Sequence, residues 1–301
     1  MASNVVIYVG NNLGSYQPLM NSGFTTIILN SLHVNSDGSL NLNDTQLVDS
    51  SGNLTSAVTP IANAISDLKS NGGVQTVLVS VGGGGAFPSN PNGINGAHSV
   101  SDSDFKNFSS FYWSATGMTG YLSNEVSVLN SFATLLTALG ADGIDLDPEP
   151  MFYTYGAFAS TTLIWTKWAM QTQGALATWV PYTALPSWQA TALLLSADGA
   201  SLPTWINVQP PAWSSGSDLT SWATGLGVNI SAIVPGFIAG DPSYIQNMLA
   251  DVVNGGVDVA GAYVWNYNQI PSSDVASYAT AIEQGLQGNT TTTTAAARRS
   301  A

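Results

Sequence analysis

Eight short apolar runs recur along the chain, each separated from the next by a longer stretch that mixes apolar and polar residues. Most of the runs are continuously apolar rather than alternating, which is typical of parallel strands buried on both faces. They predict strands at 4–10, 24–30, 75–82, 141–147, 176–184, 204–209, 232–237 and 259–265. The number and spacing of these strands constrain the fold more than any other feature of the sequence.

The stretches between the runs carry apolar residues with the period of a helix. They predict helices at 60–70, 126–139, 163–173, 217–226, 242–254 and 275–286. Asp241 followed by Pro242 is typical of an N-cap with proline in the first helical turn. Strands that alternate with helices in this way predict an α/β fold with a parallel sheet. The sheet is expected to close as a single-domain (β/α)8 TIM barrel or, as the alternative, to be open and doubly wound.

The length of the chain suits one barrel. A (β/α)8 barrel takes about 250 residues, and the chain has 301. We therefore predict a barrel domain at 1–288 and a low-complexity, disordered tail at 289–301. Two segments before the fourth strand are longer than a plain loop requires, the Gly-, Pro- and Asn-rich 82–95 and the aromatic 105–113. Long insertions after barrel strands lie at the active face.

Charge and cysteine content narrow the range of partners. The chain has 5 Lys and Arg residues against 18 Asp and Glu, a formal net charge of −13. This disfavours nucleic acid and anionic membranes, because binding phosphate groups requires basic residues, and it leaves uncharged sugars open as ligands. With no Cys and only two His residues, disulfides and thiolate metal sites are excluded and a multi-histidine zinc site is disfavoured. We predict no metal and no cofactor.

The start of the chain shows no basic and apolar leader pattern, and no apolar run is long enough to span a bilayer. We expect an extracellular mature protein, with a cytoplasmic protein as the alternative.

The fourth predicted strand ends in the acidic octapeptide Asp-Gly-Ile-Asp-Leu-Asp-Pro-Glu, residues 142–149. Side chains alternate across a strand, so Asp145, Asp147 and Glu149 point one way while Ile144 and Leu146 point the other. The apolar pair can pack on the helices. The three carboxyl groups are then expected to project into the barrel and toward its carboxyl-terminal mouth.

Three buried acids are costly unless they are paired or neutralised, and this chain has few cations to pair with them. Shared protons are the expected solution, with Asp145 and Asp147 titrating as a coupled pair. Glu149, the last in line, can then hold a proton near neutral pH, as a general acid must. Two alternatives are a Ca²⁺ or Mg²⁺ site and a solvated face of an edge strand. Asp142 is out of phase with the other acids and suits a turn or packing role as well as a supporting role in the site.

The octapeptide resembles the Asp-x-x-Asp-x-Asp-x-Glu signature of family 18 glycoside hydrolases. Residues 80–83, Ser-Val-Gly-Gly, resemble the Ser-x-Gly-Gly motif on the third strand of that family. Residues 7–12 look like the first strand of hevamine-type plant chitinases, and 262–265, Ala-Tyr-Val-Trp, like the family's eighth strand. Residues 208–209 fall where the sixth strand often carries glutamine. The resemblance covers the chain from about residue 4 to residue 286.

The resemblance implies a chemistry. Family 18 enzymes retain the anomeric configuration and use the substrate's own 2-acetamido group as the nucleophile, unlike glycosidases with two catalytic carboxylates. Carried over, Glu149 would protonate the glycosidic oxygen and later activate water. Asp147 would orient the acetamido N–H and stabilise the oxazolinium-like intermediate, and Asp145 would share a proton with Asp147.

The resemblance also implies a binding site. Trp265 would stack under the sugar at the point of cleavage, and Tyr8 and Gln209 would line the site. Ser80 would support the acidic strand by hydrogen bonding. Gly82 and Gly83 would allow a close approach of backbone.

One position departs from the family pattern. Active members usually carry a tyrosine just after the sixth-strand glutamine, where it binds the acetamido carbonyl, but Gln209 is followed by two prolines. Tyr182 on the fifth strand, or Tyr153 or Tyr155 after the acidic strand, could substitute for it. Without a substitute the rate would fall by about 10²–10³, by analogy with the loss of one oxyanion donor.

Three functions follow as hypotheses. The leading one is a hydrolase of β-1,4-linked N-acetylglucosamine, acting on chitin and chito-oligosaccharides or, as a variant, on the core of N-linked glycans. The second is a weakly active or inactive chitinase-like lectin or inhibitor that binds such glycans, which the departure after Gln209 supports. The third is a storage or structural barrel. The expected partner in the first two is a carbohydrate.

Overall fold

The computed structural model of the chain describes residues 4–10, 13–83, 127–148, 155–210 and 212–288. Ten strands form one sheet in this part of the chain. They are β1 (Asn4–Val9), β2 (Thr26–Val34), β3 (Leu40–Leu42), β4 (Thr45–Val48), β5 (Thr76–Gly82), β6 (Gly143–Asp147), β7 (Leu176–Trp179), β8 (Trp205–Val208), β9 (Ile233–Ile238) and β10 (Gly261–Trp265).

Eight of the strands pair in parallel and close into a barrel. The order around the barrel is β1, β2, β5, β6, β7, β8, β9 and β10, and β10 pairs with β1 again. The predicted single-domain (β/α)8 TIM barrel is therefore confirmed, and the open, doubly wound sheet is not formed. Residues 143–147 of the octapeptide form the fourth barrel strand, β6, close to the predicted bounds of 141–147.

Seven α-helices lie between the strands and after the last one within the described residues. They are α1 (Val58–Asn71), α2 (Ser127–Leu139), α3 (Tyr155–Lys167), α4 (Leu185–Ala197), α5 (Gly216–Leu226), α6 (Pro242–Asn254) and α7 (Val275–Leu286). Short 3₁₀ turns occur at Gln17–Leu19, Ile230–Ala232 and Tyr267–Gln269, and a π-helical turn at Trp168–Thr172 follows α3. The Asp241 side chain accepts a hydrogen bond from Ser243 N at the start of α6, which confirms the predicted N-cap.

One hairpin and one helix were not predicted. Strands β3 and β4 form a hairpin that extends β2 beyond the barrel, with Asn43 in the left-handed region at its turn (φ 51°). Runs of three and four residues are too short to show a period. Helix α4 was missed because it is apolar on all sides: Leu195 is buried, while Leu193 is 71% exposed.

Two predicted bounds differ most from the structure. The fifth strand was predicted at 176–184 but ends at Trp179. Pro181 follows it, and Ala184 is in the left-handed region with φ 57°. The third helix was predicted at 163–173; it begins at Tyr155 and passes into the π-helical turn.

The strand side chains form two cores. Outward-facing residues such as Ile144 and Leu146 pack with apolar residues of the helices in the main hydrophobic cluster. Inward-facing residues, including Val6, Ile28 and Trp205, form a second, smaller cluster inside the barrel. Each strand thus has two buried faces, as its continuous apolar run predicted.

The two long segments predicted at 82–95 and 105–113 lie outside the described residues beyond Gly83, and so does the predicted tail at 289–301. Within the described ranges, no helix is both long and apolar enough to cross a lipid bilayer.

Candidate active site

Strand β6 turns Asp145 and Asp147 toward the inside of the barrel. Asp145 is fully buried and Asp147 is only 2% exposed. Ile144 and Leu146, which alternate with them, belong to the outer core between barrel and helices. The orientation predicted from the alternation of the octapeptide is confirmed for these four residues.

Asp145 is held by neutral donors from three other strands. The Oγ1 of Thr178 on β7 donates to its Oδ1, and so does the Nδ2 of Asn207 on β8, at 3.0 Å. The Oη of Tyr8 on β1 donates to its Oδ2 at 3.1 Å. Hydroxyl and amide groups of the described residues thus replace water around the buried carboxyl group of Asp145.

The pKa of Asp145 is raised above its ordinary value of 3.8, because burial penalises the charged form. Hydrogen bonds from Thr178, Tyr8 and Asn207, together with the nearby Ser80 hydroxyl, oppose that rise. Burial also raises the pKa of Tyr8 well above 10.0, and the negative charge of Asp145 adds to the effect. Tyr8 therefore stays protonated and remains a donor to Asp145.

Asp147 lies nearer the mouth of the barrel, and its described contacts include Gln209 and Gly83. The Nε2 of Gln209, just after β8, donates to its Oδ1 at 2.9 Å, and also to the carbonyl oxygen of Val180 at 3.3 Å. On the other side, the backbone N of Gly83 donates to the backbone oxygen of Asp147 at 2.6 Å. The end of β6 is thereby held by Gln209 on one side and by Gly83, the residue after β5, on the other.

The Ser-x-Gly-Gly motif lies directly beside the acids. Gly82 is the register partner of Asp147 on β5. Gly83 has φ +100°, and a Cβ atom there would stand 2.7 Å from Oγ of Ser31. A glycine is therefore required at position 83 both by backbone conformation and by the close approach of β2.

Ser80 is fully buried and is the register partner of Asp145. Its hydroxyl contributes to lowering the pKa of that carboxyl group. Its Oγ nevertheless makes no hydrogen bond of ordinary geometry with the described residues. Ser80 thus acts on Asp145 as a nearby hydroxyl dipole rather than as a well-aligned donor.

A cavity of about 180 Å³ opens above the acids. Its described wall combines one carboxylate, one amide and two phenols with apolar groups. The lining residues are Tyr8, Asp147, Val180, Gln209, Pro210, Ile238, Tyr263 and Trp265. Because the carboxyl ends of the barrel strands form this wall, the cavity occupies the usual position of an active site in a (β/α)8 barrel.

Aromatic rings form one side of the cavity. The ring of Tyr8 lies 5.2 Å from that of Trp265 and 5.0 Å from that of Tyr263, centroid to centroid. Trp265, at the end of β10, is half-buried, so part of its surface is open to a ligand. Large apolar ring faces next to a few fixed polar groups are typical of small-ligand sites.

The structure does not bring every predicted residue to this cavity. Asp142 precedes β6 at the opposite end of the strand, where its Oδ1 lies 2.7 Å from Nζ of Lys69 and its Oδ2 accepts from the backbone N of Val77 at 2.7 Å. Of its two predicted roles it has the packing one, because its position out of phase with the other acids directs it to the outside.

Tyr182 is half-buried after β7 and does not belong to the described wall of the cavity. Glu149 lies outside the described residues, as does Tyr153, and the side chain of Tyr155 is not described either. The predicted role of Glu149 stays a prediction.

Thr178, Asn207 and Tyr263 belong to the site but were not predicted. Each lies on a strand that the sequence did predict, and each faces inward. Counting alternate positions along those strands from a known inward residue would have found them. The apolar runs themselves did not indicate which inward-facing polar residues would contact the acids or line the cavity.

No group of three or more His, Cys, Asp or Glu side chains in the described part of the chain is arranged to hold a metal ion.

No protein-family model matches the chain, and no characterised protein matches it by sequence. Solved structures do match. The catalytic domain of a family 18 chitinase from the fern Peteris ryukyuensis superposes with a TM-score of 0.61 at 16% identity, covering 94% of this chain and 98% of that chain. The fold is that of family 18 chitinases.

Two further structures give the same result. A family 18 chitinase from Crocus vernus has a TM-score of 0.58 at 19% identity, over 94% of this chain and 98% of that one. Active domain 2 of a thermostable chitinase from Pyrococcus furiosus, in structures of catalytic-site mutants complexed with chito-oligosaccharides, has a TM-score of 0.54 at 10% identity, over 95% and 96%. At these identities the likeness is one of fold, and the family resemblance predicted from the motifs is confirmed at that level.

Proposed function

We propose that this protein is a chitinase-type glycoside hydrolase that cleaves β-1,4 linkages of N-acetylglucosamine with retention of configuration. One observation carries the proposal. The carboxylate of Asp147, fixed by Gln209, shares the wall of a barrel-mouth cavity with the half-buried ring of Trp265. The cavity thus offers an acceptor for an N–H group beside a flat apolar surface for a sugar ring.

The chemistry of the wall suits a neutral sugar. A pyranose ring presents C–H groups that pack on an aromatic face, and its hydroxyl and amide groups require hydrogen-bond partners. The described lining residues include no Lys or Arg, so they offer no counter-charge for an anionic ligand. A 2-acetamido group, with one N–H donor and one carbonyl acceptor, matches a site that has both a carboxylate and phenolic hydroxyls.

The proposed reaction uses the acetamido group as the nucleophile. Glu149 donates its proton to the glycosidic oxygen as the bond between that oxygen and C1 breaks. The acetamido carbonyl oxygen attacks C1 from the opposite face, which gives an oxazolinium ion. Water, deprotonated by Glu149, then attacks C1 and opens that ring. Two inversions at C1 leave the configuration retained.

Asp147 assists by accepting the acetamido N–H and balancing the positive charge that develops on the oxazolinium ring. Asp145 lies directly below it on the same face of β6. Because burial raises its pKa, Asp145 holds its proton to higher pH than an exposed carboxyl group does, which reduces repulsion between the two adjacent acids.

One observation favours a second function. Pro210 occupies the cavity wall just after Gln209, where the family pattern has a tyrosine, and a proline side chain donates no hydrogen bond. A lectin that binds N-acetylglucosamine oligomers without turnover would tolerate that change.

The two functions separate in one experiment. We expect the protein to release the fluorophore from a fluorogenic chitotrioside, and Glu149→Gln to lower kcat by about 10²–10⁴, the range for loss of a general acid. Calorimetry with chitotriose should show that both proteins still bind. A parallel assay with a glycopeptide carrying an N-linked glycan core tests the variant substrate.

Three outcomes contradict the proposal in different ways. If both proteins bind chitotriose and neither hydrolyses it, the lectin is correct. If neither binds, the barrel has a storage or structural role. If a chelator abolishes activity and Ca²⁺ restores it, the acids form a cation site instead.

A further inference from the structure

Tyr263 is a polar residue of the cavity that the sequence did not single out. It lies on β10, faces the inside of the barrel and is only 1% exposed. It forms part of the cavity wall together with Asp147 and Trp265. Its ring packs on that of Tyr8, whose pKa is raised in part by the nearby Tyr263 phenol.

A glycine on the next strand makes room for this phenol. Gly236 of β9 is the register partner of Tyr263. A Cβ atom on Gly236 would stand 2.1 Å from Cζ of Tyr263 and 2.4 Å from its Oη. The hydroxyl end of the ring therefore lies directly against the backbone of β9, and any other residue at 236 would displace it.

Tyr263 and Asp147 stand on opposite sides of the barrel. Three strands separate β6 from β10 in each direction around the barrel: β7, β8 and β9 on one side, and β5, β2 and β1 on the other. With eight strands in the ring, β6 and β10 are therefore diametrically opposed. A ligand that fills the cavity meets the carboxylate on one wall and the phenol on the other.

A secondary amide suits this arrangement. Its N–H and C=O bonds point in opposite directions, because the amide is planar and trans. An acetamido group that donates its N–H to Asp147 therefore directs its carbonyl oxygen toward the wall formed by β10.

We propose that the Tyr263 hydroxyl donates a hydrogen bond to the carbonyl oxygen of the sugar's 2-acetamido group, opposite Asp147. This inference rests on the function proposed above. The donor then lies on the eighth barrel strand, whereas the sequence suggested Tyr182 on the fifth. Tyr263 is then a residue that selects N-acetylated over N-deacetylated sugars.

The test compares Tyr263→Phe with the unaltered protein, because phenylalanine keeps the ring in place and removes only the hydroxyl. Binding of chitotriose and of its fully N-deacetylated trimer is measured by calorimetry. We expect the affinity of Tyr263→Phe for chitotriose to fall about tenfold, the upper range for one neutral hydrogen bond. Its affinity for the deacetylated trimer should stay within about twofold of the unaltered protein.

Tyr244→Phe is the matched control, since this tyrosine is 59% exposed at the start of α6. It should leave both affinities unchanged. Near-ultraviolet circular dichroism checks that Tyr263→Phe is folded.

Each other outcome overturns the inference. If both trimers weaken equally, Tyr263 has only a packing role. If Tyr263→Phe binds chitotriose as well as the unaltered protein does, or if Tyr182→Phe shows the selective loss instead, the donor is elsewhere while the proposed function stands. If the unaltered protein binds neither trimer, the proposed function fails and the role of Tyr263 fails with it.

Discussion

Strand β6 has acids at both of its ends, and the two ends accommodate them differently. At the amino end, Asp142 is partly exposed, pairs with Lys69 at 2.7 Å and accepts a backbone hydrogen bond from Val77. At the carboxyl end, Asp145 and Asp147 are buried, and the contacts described for them are with hydroxyl and amide donors. Three acids within six residues thus have unlike surroundings.

The difference separates an acid held in a partly exposed ion pair from two buried acids that accept hydrogen bonds from neutral donors. At the amino end both oxygens of the Asp142 carboxylate are engaged, one by the Lys69 ammonium group and one by the backbone N–H of Val77. A buried carboxyl group among neutral donors has a pKa that its surroundings can move, as burial does for Asp145.

The largest effect should come from removing the charge at the carboxyl end. Asp147→Asn keeps the shape of the side chain but can no longer balance the oxazolinium charge. We expect kcat on the fluorogenic chitotrioside to fall about 10²–10³-fold, the range for loss of one electrostatic stabiliser, while binding of chitotriose changes far less.

The matched control is the same substitution at the amino end. Asp142→Asn should leave kcat within about twofold, since its side chain lies away from the cavity. Equal losses of kcat in Asp142→Asn and Asp147→Asn would show that the two ends of β6 do not differ in function.

The second effect concerns pH and stability. The folded-state pKa of Asp145 is raised above its ordinary value of 3.8, so the folded protein holds this proton to higher pH than the unfolded chain. The stability contributed by Asp145 is therefore fully present below pH 3.8 and is lost as pH rises through the folded-state pKa. Asp145→Asn does not titrate at this position.

Urea unfolding over a series of pH values, from acid to neutral, measures this directly. The free energy of unfolding of Asp145→Asn should rise relative to that of the unaltered protein as pH increases. Parallel curves for the two proteins would show that burial does not raise this pKa.

The smallest effect should come from the ion pair at the amino end. Lys69 and Asp142 are partly exposed, with side-chain exposures of 26% and 33%, and such pairs contribute about 0.2–1 kcal/mol. Lys69→Gln should lower the free energy of unfolding by about 0.5 kcal/mol at low salt, and by less in 1 M NaCl, where screening is strong. If salt does not reduce this loss of stability, packing of the Lys69 side chain rather than its charge stabilises the amino end of β6.

The two ends of β6 also show how much a local sequence pattern can predict about side-chain positions. The alternation of the octapeptide was enough to place Asp145 and Asp147 inside and Ile144 and Leu146 outside, because side-chain direction along a strand has a period of two residues. The same count placed Asp142 out of phase with the others. It could not place Tyr182, because the strand that was expected to carry it ends at Trp179, before Pro181.

The sequence by itself determined the number and order of the barrel strands and the inward face of β6, since apolar runs and their period are local properties. Only the tertiary structure decided which groups surround the acids. Tyr8 and Asp145 are 137 residues apart in the chain, and Tyr263 fits only because Gly236 is its partner on the next strand. Such contacts depend on how the barrel closes and on the register between strands, and no short segment of sequence encodes either.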